Sequence, residues 1–346
     1  MSAPPQAQPS DRPQVPVWVS FMALALIWGS SFLFIKIGLD EGLPPFVLVS
    51  YRLWSAALFL AVVIRLTRGS LPRTRDAWTR LTILAVVNVA IPFLLISWGE
   101  QYTSSALAAI LNALVPLFAI VLASLVLHDE PITLNRLTGL VIGFIGAVLL
   151  ASPSLGTASG SGGSTELFGE LAVALACLSY AVGAVYARHA ITGRPIIDDP
   201  VRGPRTPTPV EIALPQVTVA GAITTVLALA TSAGVASPVL VPPTLPAWFA
   251  VLWLGLLGSG VAYLLLFRII KAWGATRATL VTYIMPIVGI ALGVTVLAER
   301  LELAEIAGTV LIIGGLLLAN SRYGQRRLYG RASPPEAAAG GSSTKG

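Results

Sequence analysis

Long apolar stretches separated by short polar segments dominate the pattern of this chain. A helix needs roughly 20 apolar residues to cross a bilayer, because its backbone polar groups must all be bonded within the membrane. By that criterion the sequence predicts ten spans, near residues 17–38, 45–65, 78–98, 103–127, 134–152, 167–187, 210–232, 246–270, 275–298 and 303–320. The predicted fold class is an all-α integral membrane protein with ten transmembrane helices.

Composition supports this class and narrows the chemistry. Apolar residues make up 55% of the chain and charged residues only 11%, with a mean hydropathy of +0.81, which is far from an ordinary soluble domain. One cysteine, Cys177, excludes a disulfide framework, and the two histidines, His128 and His189, are distant in sequence. We therefore expect no metal site and no cofactor, and there is no P-loop motif for ATP-driven transport.

The positive charges are distributed by side of the membrane. If both termini are cytoplasmic, all but three of the 22 lysines and arginines fall on the cytoplasmic side, the exceptions being Lys36, Arg52 and Arg300. Cytoplasmic loops of membrane proteins carry this excess, so the pattern predicts a multi-pass protein of the cytoplasmic membrane with both termini inside. The net charge of +6 then fits lipid headgroups better than nucleic acid. We see no signal peptide and expect the first helix to remain.

The second half of the chain repeats the first. Residues 105–127 align with 275–297, and 130–149 align with 299–318. The identical pairs are Pro116 with Pro286, Glu130 with Glu299, Gly139 with Gly308 and Gly146 with Gly315; weaker matches are Trp28 with Tyr180, Arg52 with Gln216 and Asn88 with Gly258. Five spans per copy is an odd number, so the copies are predicted to be inverted repeats, an architecture that suits alternating access to a midplane site.

The repeat divides the chain into five predicted regions. These are a disordered N-terminal segment (1–16), a first five-helix repeat (17–152), an extracytoplasmic linker (153–166), a second five-helix repeat (167–320), and a basic and then Gly/Ser-rich disordered tail (321–346).

Three motifs resemble a known family. They are "WGSSF" at Trp28, "ALVPLFAIVLASLVLHDEPITLNRLTGLVIGFIGAVLL" in the first half and "YIMPIVGIALGVTVLAERLELAEIAGTVLIIGGLLL" in the second. Together with ten helices in two repeats, they resemble the EamA-type branch of the drug/metabolite transporter superfamily. The resemblance implies a membrane carrier for small metabolites, often an exporter of amino acids or related compounds, and it does not name the substrate.

Polar and aromatic residues deep in the predicted spans are the candidate substrate contacts. A mid-span Trp needs a partner for its N–H, and a helical proline frees the carbonyl four residues earlier, here that of Asn112 or Thr282. Thr276, Thr279, Thr282 and Tyr283 share one helix face with Pro286. The candidates are Trp28, Ser31, Asn88, Asn112, Tyr180, Ser259, Tyr263, Thr282 and Tyr283. Helix packing and hydrogen bonds within one helix remain alternatives for the small polar residues.

Arg52, Pro116 and Pro286 are the candidate gating or charge residues. Arg52 lies roughly 10 Å along the second helix at 1.5 Å per residue, where a charge usually has a partner or a function. It could hold a substrate carboxylate, pair with Asp40 or Glu41 as an outer gate, or snorkel to the surface. The acidic residues fall at or near span ends, so no deep carboxylate relay is predicted.

These observations predict a secondary transporter that moves a small organic metabolite, an amino acid or related compound, by alternating access, with export expected. The alternatives are a multidrug or lipid-linked substrate exporter of the same fold and a non-transporting membrane protein. An enzyme is disfavoured because no catalytic set lies within the spans. The expected partners are a small-molecule substrate and the lipid bilayer, with no nucleic acid and a possible homodimer.

Overall fold

The structure, a computed structural model, describes residues 15–126, 132–153, 163–199, 203–274, 278, 280–321 and 327–329. Its apolar helical segments are numbered in chain order as follows: α1 (Val15–Gly29 and Ser31–Asp40), α2 (Pro45–Thr67), α3 (Arg75–Ala85, Val86–Ala90 and Ile91–Gly99), α4 (Ser105–Leu111 and Leu114–Val126), α5 (Leu134–Leu150), α6 (Gly163–Ala190), α7 (Pro209–Ser232), α8 (Leu245–Leu252, Trp253–Val261 and Ala262–Trp273), α9 (Val281–Val296) and α10 (Leu303–Asn320).

Eight of these segments are long and apolar enough to cross a membrane. The other two, α5 with 17 residues and α9 with 16, are apolar but shorter. Large apolar side chains cover the outside of the bundle; Leu245 is 82% exposed and Leu303 is 81% exposed. An apolar exterior of this kind is suited to contact with the lipid bilayer, as expected for a multi-pass membrane protein.

Four segments are interrupted near their middle. In α1 the regular helix ends at Gly29 and restarts at Ser31, and in α4 it stops at Leu111 and restarts at Leu114, just before Pro116. In α3 and α8 the backbone forms π-helical sections at Val86–Ala90 and Trp253–Val261. Such sections often mark functional sites, because they re-aim side chains and backbone carbonyls.

Glycines bring α5 and α10 into close contact. A Cβ at Gly315 would lie 2.5 Å from the Gly139 carbonyl oxygen, and one at Gly308 would lie 2.6 Å from the Gly146 carbonyl oxygen. Small residues at such positions allow membrane helices to pack backbone to backbone. Elsewhere α2 packs against α7, α4 against α9, α1 against α8 and α9, and α6 against α3 and α4. The main cluster of buried apolar side chains draws on all ten segments and is densest on α2 and α4.

Two short antiparallel strand pairs lie outside the helices. β1 (Ile132–Thr133) pairs with β4 (Arg327–Tyr329), and β2 (Ile197–Asp199) pairs with β3 (Gly203–Arg205). The sequence pattern indicated only a loop between α6 and α7, because three-residue strands carry too little periodicity to be recognised. Glu130, which aligns with Glu299, lies outside the described residues.

Candidate functional site

The centre of the site is Arg52 of α2, which is only 6% exposed. Its Nε donates a hydrogen bond to Ser259 Oγ of α8 at 3.1 Å. Its Cζ lies 3.9 Å from the centroid of the Phe93 ring of α3, a cation–π geometry. The guanidinium is thus fixed by two other helices and does not snorkel to the surface.

Trp28 of α1 contacts the residue of α8 next to Ser259. Its Nε1 donates to the carbonyl oxygen of Gly258 at 3.1 Å, inside the π-helical section. Ser31 lies one turn further on, and its Oγ donates to its own helix at the Ile27 carbonyl, 3.1 Å away. A Cβ at Gly258 would lie 3.4 Å from Ser31 Oγ. Trp28, Ser31 and Ser259 are therefore brought together around one helical turn.

Aromatic rings complete this cluster. The ring of Tyr180 (α6) packs edge-on against Phe93, with centroids 6.4 Å apart. The phenols of Tyr180 and Tyr263 lie within electrostatic range of the Arg52 guanidinium. Trp28, Tyr180 and Tyr263 are half-buried whereas Arg52 and Ser259 are buried. A buried cation with aromatic walls can bind an anionic group through several N–H donors.

Two members of this region were missed in the sequence. Phe93 carries no polar atom that would mark it. Trp253 lies deep in α8, and its Nε1 donates to Ser30 Oγ at 3.1 Å. A tryptophan at such depth, whose N–H needs a partner, was the signal for it in the sequence.

Asn88 belongs to a second polar contact, which does not include Arg52. Its Nδ2 donates to Gln216 Oε1 of α7 at 3.4 Å, and Gln216 Nε2 donates to the Ile212 carbonyl at 3.1 Å. A Cβ at Gly183 of α6 would lie 2.8 Å from Asn88 Oδ1. This amide pair therefore links α3, α6 and α7.

Asn112 and Pro116 mark the break in α4. The sequence predicted that Pro116 would leave the Asn112 carbonyl free, but that oxygen accepts a hydrogen bond from the Val115 N–H at 3.2 Å. The prediction of a free carbonyl was wrong because the chain closes a tighter turn there. Asn112 itself is buried.

Residues of α9 are turned toward α10. The Tyr283 hydroxyl accepts from Asn320 Nδ2 at 2.8 Å and donates to the Leu316 carbonyl at 3.5 Å. Thr282 precedes it in the same turn, and Pro286 is buried inside the continuous helix Val281–Val296. Of the predicted polar face, Thr276 and Thr279 lie outside the described residues.

An outer gate of Arg52 with Asp40 or Glu41 was one alternative for Arg52, and within the described residues Arg52 forms no ion pair with either of them. Asp40 lies 3.9 Å from Lys36, and Arg52 is held by Ser259 and Phe93 instead. The hydrogen bond of Nε to Ser259 and the stacking on Phe93 hold the guanidinium at this depth, so it does not extend toward the helix end. Within the described residues, no group of three His, Cys, Asp or Glu side chains could hold a metal ion.

Comparison with known proteins identifies the family. The model of the EamA-like transporter family matches residues 17–152 and 201–321. The chain belongs to this family. An uncharacterized inner membrane transporter, YedA of Escherichia coli K12, is 27% identical over 323 residues, covering 90% of this chain and 93% of YedA. An uncharacterized transporter of Archaeoglobus fulgidus is 24% identical over 312 residues, covering 87% of this chain and 97% of its own length.

The fold of this EamA-like chain also matches a solved structure. A crystal structure superimposes with a TM-score of 0.59 at 19% identity, covering 88% of this chain and 98% of the other. At that identity the likeness concerns the fold alone. Family and relatives agree on a membrane transporter of the drug/metabolite type, as the motifs had indicated.

Proposed function

We propose that this protein is a secondary transporter whose substrate is a small organic metabolite with a carboxylate, such as an amino acid or a related compound. Arg52 binds the carboxylate, and Trp28, Ser31, Tyr180, Ser259 and Tyr263 surround the rest of the solute. The protein carries the solute across the membrane by alternating access.

The observation that carries this proposal is the state of Arg52. No carboxylate lies within 4.0 Å of its guanidinium in the described part of the chain. A charge this deep in a membrane helix normally has a partner or a function. A guanidinium offers five N–H donors in a plane, and Ser259 takes the Nε donor. The remaining edge suits a bidentate carboxylate.

We further propose that the ten apolar segments all cross the membrane, as two inverted five-helix repeats with cytoplasmic termini. The glycine contacts support this, because the pair Gly139–Gly315 becomes Gly308–Gly146 when the aligned positions are exchanged. The π-helical sections support it as well, since one contains Asn88 and the other contains the aligned residue Gly258. Cysteine labelling of both tails from each side of the membrane tests the orientation, and tails on opposite sides would contradict it.

A specific feature favours a second candidate, an exporter of drug-like or lipid-linked compounds. An open apolar groove of about 410 Å³ lies between α2, α3 and α7, lined by Trp54, Trp78 and Leu214 among others. A groove facing lipid could admit an amphipathic molecule laterally. Failure of every small carboxylate to bind, with binding of amphipathic cations, would favour this candidate.

Binding by the purified protein tests the carboxylate site. We expect amino acids or other carboxylic acids, but not the matching amines, to raise the melting temperature of the wild-type protein in detergent. Arg52→Gln should weaken this binding roughly ten- to hundredfold, because a charged hydrogen bond contributes about 1.5–3 kcal/mol. Arg65→Gln, at an exposed position of the same helix, is the matched control. Equal affinities of the two variants would overturn the assignment.

Flux measurements then test transport. Liposomes containing the protein should exchange a labelled carboxylic acid in both directions, and Arg52→Gln should abolish the exchange while Arg65→Gln retains it. Binding without exchange would leave a receptor, and not a carrier, as the function.

A further inference from the structure

The connection between α3 and α4 contains a cluster of buried polar atoms without hydrogen-bond partners. Within the described residues these are Ser97 Oγ, both carboxyl oxygens of Glu100, Thr103 Oγ1 and Ser105 Oγ. Buried polar groups in proteins are nearly always bonded, and a buried carboxylate without bonds is especially unfavourable. A cluster of this kind at a fully buried Glu100 therefore needs an explanation.

Close helix packing causes the burial. Gly99 of α3 meets Gly169 of α6, where a Cβ would lie 2.7 Å from the Gly169 carbonyl oxygen. This contact closes the end of α3 over Glu100, although the residue stands at the end of a span in the sequence. The neighbouring acid on α6, Glu170, is also buried.

Several charged groups face Glu100 from the surrounding segments. Lys36 of α1 donates to the backbone carbonyls of Glu100, at 3.0 Å, and Thr103, at 3.5 Å. Its ammonium therefore lies beside the Glu100 backbone, bonded to carbonyls. Asp40 stands one turn further along α1, and Arg52 acts on Glu100 from α2.

The segment after α9 adds another carboxylate. Glu299 accepts hydrogen bonds from the backbone N–H groups of Ser105, at 2.8 Å, and Ala106, at 3.0 Å. It caps the start of α4 and thereby adds negative charge next to Glu100. Burial, and then the repulsion by Glu299 and Asp40, raises the pKa of Glu100 well above its usual range, while Lys36 and Arg52 oppose this rise. A carboxyl group in such a setting can hold a proton near neutral pH.

Glu100 is connected to Arg52 by the geometry of α3. Phe93, Ser97 and Glu100 are spaced i, i+4 and i+7, which places them on one face of the helix. Arg52 stacks on the first of these residues, so Glu100 lies roughly 10 Å further along the helix at 1.5 Å per residue. At an effective dielectric constant of about 20, unit charges at that separation alter each other's binding equilibria on the order of tenfold.

We propose that Glu100 is a proton-binding site linked to the Arg52 site. A proton from the aqueous phase binds one Glu100 carboxyl oxygen, and no other bond changes. The ionised Glu100 stabilises the positive charge of Arg52 and repels an anionic solute. When a solute carboxylate neutralises Arg52, proton binding to Glu100 is strengthened, and the reverse linkage must hold equally. The part concerning the solute rests on the proposed function; the proton site does not.

Infrared spectroscopy tests the proton site without any solute. We expect the carbonyl stretch of a protonated carboxylic acid in the wild-type protein near neutral pH, lost in Glu100→Gln and retained in Glu166→Gln, an exposed acid on α6. In Glu100→Asp the band should persist with a changed frequency, which guards against a folding defect of the Gln variant. Absence of a Glu100-dependent band from about pH 5 to about pH 9 would overturn the site.

The linkage has its own test in the same titration. Arg52→Gln should raise the midpoint of the Glu100 band by about one pH unit, since it removes a positive charge, whereas Arg52→Lys and Arg65→Gln should leave it nearly unchanged. An unmoved midpoint in Arg52→Gln would overturn the linkage. If solutes fail to bind while the band and its shift are present, the proposed carrier function is wrong and the proton site stands.

Solute binding supplies the third readout. The affinity of the wild-type protein and of Glu166→Gln for a carboxylic acid should rise on the order of tenfold when the pH falls through the Glu100 midpoint. In Glu100→Gln the affinity should be independent of pH and equal to the acid limit. Wild-type pH dependence in Glu100→Gln would contradict the linkage.

Discussion

The contact between α5 and α10 provides a prediction that two adjacent residues can test. Gly315 faces α5, where a Cβ would lie 2.5 Å from the Gly139 carbonyl oxygen and 2.6 Å from the Gly143 nitrogen. Gly314, its neighbour on the same helix, has nothing within 4 Å of its Cβ position. Gly314→Ala and Gly315→Ala therefore add the same methyl group to the same helix, once in open space and once against the backbone of α5.

The expected magnitudes follow from these distances. Ordinary contacts begin near 3.4 Å, so Gly315→Ala must push backbone from backbone by roughly 1 Å, a gap that forfeits a quarter to a half of the dispersion energy of the contacting atoms. Overpacking of this kind costs about 1–3 kcal/mol. Gly314→Ala should instead gain up to about 1 kcal/mol, because Ala is the better helix former. The two variants should differ by about 1–4 kcal/mol in the free energy of unfolding.

Denaturation in mixed micelles, followed by circular dichroism, measures the difference. Gly315→Ala should unfold at a lower denaturant fraction than the wild type, and Gly314→Ala at the same or a higher one. If Gly315→Ala were as stable as Gly314→Ala, the close approach of α5 and α10 would be refuted.

Three further substitutions have defined outcomes. Trp28→Phe should cost about 1–3 kcal/mol in thermal unfolding, because it leaves the Gly258 carbonyl without its donor; an unchanged melting curve would contradict this contact. Glu211→Gln should cost about 1.5–3 kcal/mol, because the Glu211 carboxylate accepts from Ser70 N at 2.7 Å and from the guanidinium of Arg205 at 2.6 Å; equal stability would refute the network. Arg68→Gly should stabilise by about 1 kcal/mol, because Arg68 ends α2 with a φ of 52°, a left-handed conformation that favours glycine; a lower melting temperature would contradict this.

The sequence was sufficient to predict the helical membrane class and the positions of the apolar segments. These follow from apolar length, which depends on local composition alone. The break in α4 was also foreseeable, since Pro116 cannot continue the hydrogen-bonding ladder. The π-helical sections were not, because the extra residue only shifts which face of the helix each side chain occupies, and such a shift is invisible in a span that is apolar on nearly every face.

The candidate site was only partly predictable for a different reason. Trp28, Ser31, Arg52 and Ser259 could be singled out one by one, as polar or aromatic residues in apolar surroundings. Arg52 contacts Ser259 and Phe93 because α8 and α3 are neighbours of α2. Residue types at single positions do not reveal which helices are neighbours. The burial of Glu100 was not predicted, because the end of a span is usually exposed to water, whereas the contact of Gly99 with α6 buries Glu100 here.

The two polar contacts of the core differ in charge, and this difference bears on substrate choice. Arg52 aligns with Gln216, and Gly258, next to Ser259, aligns with Asn88. The Arg52–Ser259 contact, at 3.1 Å, joins α2 to α8. The Asn88–Gln216 contact, at 3.4 Å, joins the repeat-equivalent helices α7 and α3. The first contact contains a cation, and the second contains two neutral amides. A solute with one carboxylate needs only one cation, and a second buried cation would be left unpaired.

Gln216→Arg should therefore move the preference toward dicarboxylic acids. With Arg52 and a second guanidinium in the core, a second carboxylate would gain charged hydrogen bonds of about 1.5–3 kcal/mol, a ten- to hundredfold change in the affinity ratio of dicarboxylic to monocarboxylic acids. Gln216→Glu, with the opposite charge, should lower the affinity for both classes. Parallel binding titrations of the three proteins measure these ratios. An unchanged ratio in Gln216→Arg would mean that the amide pair does not face the solute, and that Arg52 alone determines which anions the protein accepts.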